Sequence, residues 1–198
     1  VLTGFKFIAE QIQLFEDTGA HTFLFGFEES YGFLSGTEVR DKDGVNAVML
    51  IAEAAAYYKT RGMTLADAAD ELGKKYGFYG DHVKSVTLAG KDGQAKIDAI
   101  MGRLHGEKLA MIGASRVLAT RDYLKGTRET ADGEVTTAGL PESDVLYYEL
   151  EGGAWVCVRP SGTEPKIKVY INAVSASPET TEALLAGYAG DMDKILAI

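Results

Sequence analysis

Cysteine is almost absent from this chain of 198 residues: Cys157 stands alone, so no internal disulfide can form. Its place in the apolar run Ala154-Trp155-Val156-Cys157-Val158 predicts an inert, buried thiol and fits a reducing cytoplasm. Histidine is scarce too, and His21, His82 and His105 lack metal-ligand spacing, which predicts surface or internally satisfied imidazoles and no metal site. No apolar run approaches the roughly 18 residues of a membrane helix. The start, Val1-Leu2-Thr3-Gly4-Phe5-Lys6, lacks the layout of a secretory signal, so a cytoplasmic protein with no membrane partner is expected. Positive charge is the minority, 20 Lys and Arg against 29 Asp and Glu, for a net charge of −9 and a pI near 4.9. That balance argues against nucleic acid or an anionic membrane, both of which reward clustered cations. No Gly-x-Gly-x-x-Gly or Walker-type loop follows a strand, which leaves little case for a nucleotide enzyme. With 46% hydrophobic residues the chain can still build one large or two small cores.

Against this acidic background, Arg159, Lys166 and Lys168 are a local cluster of cations. They flank Arg159-Pro160-Ser161-Gly162-Thr163-Glu164-Pro165-Lys166, which separates the strand-like run ending at Val158 from a second one, in which Ile167, Val169 and Ile171 alternate with Lys168 and Tyr170. The middle must be a tight loop. Such a loop can surround a phosphate: Arg159 offers a bidentate fork, Ser161 and Thr163 offer hydroxyls, and Gly162 lets backbone N–H groups approach. Composition alone equally allows an ordinary hairpin turn with a solvated arginine.

Two further segments carry chemistry. Phe23-Leu24-Phe25-Gly26-Phe27-Glu28-Glu29-Ser30-Tyr31-Gly32 runs from an apolar strand into an acidic loop. If the backbone stays extended, Glu28 and Ser30 project the same way and suit adjacent hydroxyls of a polyol. The alternatives are a solvated acidic turn or a paired-carboxylate hydrolase, for which the opposed directions of Glu28 and Glu29 are poor geometry. Further on, Val39-Arg40-Asp41-Lys42-Asp43-Gly44-Val45 reads as a solvated helix entry with Asp43 as its cap.

Arg-Pro-Ser-Gly-Thr-Glu-Pro-Lys followed by a strand resembles the phosphate-binding loop in the last domain of the α-D-phosphohexomutases, the phosphoglucomutase and phosphomannomutase superfamily. Phe-Glu-Glu-Ser-Tyr-Gly is similar to the sugar loop of that superfamily's third domain, and Arg-Asp-Lys-Asp-Gly to the segment after it. The resemblance implies sugar contacts at Glu28 and Ser30, with Lys42 near the active site and Arg40 a weaker candidate. It implies phosphate contacts at Arg159, Ser161, Gly162 and Thr163, with charge added by Lys166 or Lys168.

Such enzymes have four domains. Their phosphorylated serine sits in a Ser-His-Asn-Pro loop and their magnesium in an Asp-Gly-Asp-x-Asp-Arg loop, and neither motif occurs here. The resemblance therefore implies an incomplete third domain over 1–76, a C-terminal phosphate-binding domain over 77–198, no catalytic residue in this chain, and the missing N-terminal domains as its partner. For the whole enzyme it implies an isomerase moving a phosphoryl group through phosphoserine, with Mg2+ and a hexose 1,6-bisphosphate activator. The sugar loop looks closer to the bacterial phosphoglucomutase type. A phosphopentomutase-type member and a free-standing sugar-phosphate-binding module remain alternatives.

The pattern predicts helices over 5–18, 45–58, 64–76 and 94–104, with a last helix opening near Pro178. Strands are expected over 23–27, 83–89, 116–120, 145–150, 154–158 and 167–173, and Glu151-Gly152-Gly153 as a hairpin turn. The helix over 45–58 is apolar almost all round and reads as buried. Residues 125–139 read as a polar connection. The fold class is α/β plus α+β: a partial layered α/β unit, whose single strand is too few to make a sheet, then a small antiparallel sheet with helices on one side.

Overall fold

The computed structural model describes residues 1–28, 31–88, 92–162 and 164–196. The chain divides into two compact units, Val1–Asp70 and Glu71–Ile198.

The first unit opens with helix α1, Phe5–Thr18, which turns Phe5, Ile8 and Ile12 to one side and ends where Gly19 enters the left-handed region (φ 63°) and donates its N–H to Phe15. Two short antiparallel strands follow, β1 (Phe25–Phe27) and β2 (Phe33–Ser35), paired so that Phe27 faces Phe33. Leu34 of β2 closes a small core with Phe5 and Ile12, while Ile8 and Phe23 pack against it. The expected strand thus begins two residues late, at Phe25, and gains a three-residue partner that its brevity hid from the sequence.

Helix α2 (Gly44–Lys59) is capped as expected: the Asp43 carboxylate accepts the N–H of Asn46 at 2.9 Å. Its burial is not as expected. Val45 is 76% exposed, and Val48, Met49 and Ile51 are exposed beside it. An apolar circumference needs cover on several sides, and in this unit α2 packs chiefly on β2, where the Asn46 amide also donates to the Ser35 carbonyl. Helix α3 (Leu65–Tyr76) starts at a reciprocal cap in which Thr64 and Asp67 each accept the other's backbone N–H.

The second unit is built on strands β3 (Phe78–Thr87), β4 (Met111–Ile112), β5 (Ser115–Asp122), β6 (Thr127–Thr130), β7 (Val135–Thr137), β8 (Leu146–Leu150), β9 (Trp155–Pro160) and β10 (Lys166–Ser175). They form one antiparallel sheet in the order β3-β10-β9-β8-β5-β6-β7, with β4 on the start of β5. Helices α4 (Gly93–Gly106) and α5 (Pro178–Leu196) share one face of it. Ile97, Met101 and Leu104 of α4 and Tyr188, Met192 and Leu196 of α5 meet Tyr148, Val156, Val158, Val169 and Ile171 from the strands in a single core. Burying each large side chain of this kind is worth roughly 1.5–3 kcal/mol. The Tyr188 hydroxyl stays satisfied by Ser115 Oγ at 2.7 Å. This is the mixed α/β architecture with an antiparallel sheet that the sequence predicts.

Three differences matter. Strand β3 begins at Phe78 rather than Val83 and runs its full length beside β10. The stretch 125–139 is not a plain connection but contains the β6–β7 hairpin, whose threonines and charges lack the apolar alternation that reveals a half-buried strand. Cys157 is half-buried on the face away from the helices, because Val156 and Val158 take the core positions on either side of it.

Candidate functional site

Strands β9 and β10 are joined by the five residues 161–165, and their register fixes what stands at the mouth of that loop. Lys168 lies directly opposite Arg159, and Ile167 opposite Pro160. Beyond them Ser161 N–H donates to the Lys166 carbonyl at 2.8 Å and Lys166 N–H to that of Glu164 at 2.7 Å. The Pro165 carbonyl accepts the N–H of Leu88 at 3.0 Å, which ties the loop to the chain just past β3. Gly162 is exposed, with open space where a side chain would stand. Thr163 lies outside the described residues.

Because Val158 and Val169 turn toward the helices, Arg159 and Lys168 turn to the opposite, open face of the sheet. Like charges placed directly opposite one another on neighbouring strands repel. Lys166, on the same face as Lys168, is paired with Glu164 at 2.9 Å. Arg159 and Lys168 have no ion-pair partner among the described residues. The loop mouth is thus a place of unbalanced positive charge in an acidic chain, suited to a small anion.

In the first unit, Glu28 and Lys42 come together: Lys42 Nζ is 3.8 Å from Glu28 Oε2. The approach depends on Gly32, where a Cβ would sit 2.7 Å from Lys42 Cδ and 3.0 Å from Glu28 Oε2. Glu28 N–H donates to the Gly32 carbonyl at 2.8 Å, closing the loop between β1 and β2. The Lys42 ammonium donates to Asp41 at 2.8 Å and lies 4.9 Å from the centre of the Phe5 ring. That hydrogen bond holds the Asp41 carboxyl below, and the Lys42 ammonium above, their ordinary values. Arg40 is instead tied to Glu16 of α1. Ser30 lies outside the described residues. The next residue, Tyr31, is in the left-handed region (φ 64°), so the chain turns sharply there.

Several clusters went unseen in the sequence. On the open face of the second unit, Arg121 and Arg128 converge on Glu149. The Arg128 hydrogen bonds, joined by that of Arg121, pull the Glu149 carboxyl down to about 2. Tyr147 stacks on Trp155 beside them, and burial pushes its hydroxyl up to about 12. Elsewhere His105 is buried between Asp122 (2.9 Å) and Asp144 (2.8 Å) at the edge of a cavity of about 410 Å³. Among the described residues no group of three or more His, Cys, Asp or Glu side chains could hold a metal ion. Likewise, no helix among them is long and apolar enough to cross a membrane.

Comparison with known proteins bears on all of this. The family model described as phosphoglucomutase/phosphomannomutase, alpha/beta/alpha domain III, matches residues 1–76, and the one described as phosphoglucomutase/phosphomannomutase, C-terminal domain, matches residues 84–186. The chain belongs to the phosphoglucomutase/phosphomannomutase family. Among curated members, a phosphoglucomutase of Staphylococcus aureus (strain bovine RF122 / ET3-1) is 42% identical over 173 residues. One from Staphylococcus epidermidis (strain ATCC 12228 / FDA PCI 1200) is 38% identical over the same length. In both cases the match covers 87% of this chain but 31% of the relative, so the chain spans about a third of the length of these phosphoglucomutases. The crystal structure of the Paramecium phosphoprotein parafusin, a phosphoglucomutase in its open form, superimposes over 98% of this chain and 33% of its own with a TM-score of 0.64. At 18% identity that likeness is one of fold.

Proposed function

We propose that this chain is the substrate-gripping part of a longer phosphoglucomutase-type isomerase, with residues 1–76 as the incomplete third domain and 77–198 as the C-terminal one. It holds the sugar ring and the phosphate that is not being transferred, while a phosphoserine elsewhere in the longer protein exchanges the other phosphoryl group. The observation that carries the proposal is the facing pair Arg159 and Lys168, two cations without an ion-pair partner among the described residues at the mouth of a hydroxyl-bearing loop. A phosphate dianion there removes the repulsion between them, accepts a bidentate fork from Arg159, and takes further donors from Ser161, Thr163 and the backbone near Gly162. Lys166 adds charge when it releases Glu164.

Glu28 accepts from a sugar hydroxyl, Ser30 both donates and accepts, and Lys42 supplies a cation that Glu28 keeps close. Arg40 serves mainly to brace the segment against α1 through Glu16. Such a grip must admit the sugar in either orientation, which few, adaptable hydroxyl contacts allow. Positioning of this kind lowers the barrier by holding the reacting ends in line.

The family resemblance implies magnesium for the whole enzyme, and the acidic side chains among the described residues do not fit it. Asp41 accepts from Lys42 and Asp43 caps α2, so the nearest acidic pair is already committed. The proposal is tested by titrating glucose 1-phosphate into the 198-residue chain and into its Arg159→Ala variant. Loss of one bidentate, charge-assisted contact should weaken binding by about tenfold or more. Equal affinity for both proteins would overturn it.

A further inference from the structure

The phosphate site proposed above is drawn from one hairpin, yet its neighbour β3 contributes to the same patch of surface. Strand β10 has two partners. On one side Lys168 faces Arg159 of β9, and on the other it faces Ser85 of β3; Lys166 faces Thr87 in the same way. Directly opposed residues of an antiparallel pair project to the same side of the sheet, with Cβ atoms about 4.5–5.5 Å apart. Ser85, Lys168 and Arg159 therefore form one row across three adjacent strands, with Thr87 and Lys166 one step nearer the loop.

The alternation along β3 supports this placement. Lys84 pairs with Asp193 of α5 on the helical side, and a Cβ at Gly80 would press into Leu185 and Thr181 of the same helix. Ser85 and Thr87, odd-numbered, must face the other way. Both are exposed, and neither hydroxyl has a hydrogen-bond partner among the described residues. Just beyond them Leu88 N–H donates to Pro165, so the end of β3 is fastened to the loop itself.

We infer that Ser85 and Thr87 of β3 are part of the anion site, donating hydroxyl hydrogen bonds to the phosphate of a sugar monophosphate held over Arg159 and Lys168. This rests on the phosphate-clamp reading. The hydroxyls extend the clamp from one hairpin to three strands and favour a tetrahedral dianion, whose oxygens can meet the cations on one side and the hydroxyls on the other. Neither residue reacts; both position the ester.

The test is titration of inorganic phosphate and of glucose 1-phosphate into the 198-residue chain, the S85A and S85A/T87A variants, S85T, and R159A, with urea unfolding as a check on folding. Removing a hydroxyl donor to a dianion should weaken phosphate binding about three- to tenfold per group, and S85T should restore it. The urea midpoint should stay unchanged in these variants, as for exposed substitutions. If R159A weakens binding while S85A/T87A does not, β3 has no part in the site and this inference fails alone. If R159A too binds normally, the clamp itself is refuted and the inference falls with it.

Discussion

At the scale of single residues, the most informative contrast is between two kinds of arginine on one sheet face. Arg121 and Arg128 are spent on Glu149, whereas Arg159 is left without an ion-pair partner among the described residues. The first pair makes a prediction about pH. Glu149 ionises near 2 when folded against an ordinary value of 4.5, so between these values the unfolded chain binds more protons. The stabilisation is therefore complete above about pH 5 and is lost as the pH falls toward 2. Full conversion of that difference would be about 3 kcal/mol, and partial exposure to solvent brings it nearer 1–2 kcal/mol. Urea unfolding of the wild type and Glu149→Gln at pH 7 and pH 3 should show the wild type losing its advantage at the lower pH. A constant gap between the two proteins would contradict the assignment.

At the scale of elements, capping and periodicity were legible where the chemistry is local. Asp43 and Thr64 announce their helices because a carboxylate or hydroxyl ahead of an apolar run has few other uses, and both are found bonded to the first turn. Thr64→Ala should therefore cost about 1 kcal/mol, measured by denaturant unfolding, with α3 fraying first. No change in midpoint would show that Asp67 alone suffices. The turn over 161–165 was legible for a similar reason: two strands of clear period leave the residues between them no option but a turn. Three-residue β2 and the β6–β7 hairpin were not, because β2 is too short to show a period and the threonines and charges of β6 and β7 lack apolar alternation. Register was equally out of reach. That Arg159 faces Lys168, and Lys168 faces Ser85, depends on which strands neighbour β10, information that no window of sequence contains.

At the scale of the whole molecule, the two units differ in how far their apolar surface is covered. The second unit gathers both of its helices over one side of the sheet, and its core reaches from Ile97 to Leu196. The first leaves Phe25, Phe27, Val45, Val48, Met49 and Ile51 exposed, far more than its small core of Phe5, Ile12 and Leu34. A sequence pattern reports the cover an element needs, not whether the cover is present, so α2 reads as buried and is found exposed. The match to a family domain described as alpha/beta/alpha, and to about a third of the length of its relatives, accounts for that pattern if the covering layers belong to the longer protein. The phosphate clamp proposed here, by contrast, draws only on β3, β9 and β10, all within the second unit. Its most direct test is a crystal of this chain soaked in glucose 1-phosphate. The account predicts phosphate density over the open sheet face, between the Arg159 guanidinium and the Lys168 ammonium. An empty site, with Arg159 drawn into an internal ion pair, would contradict it.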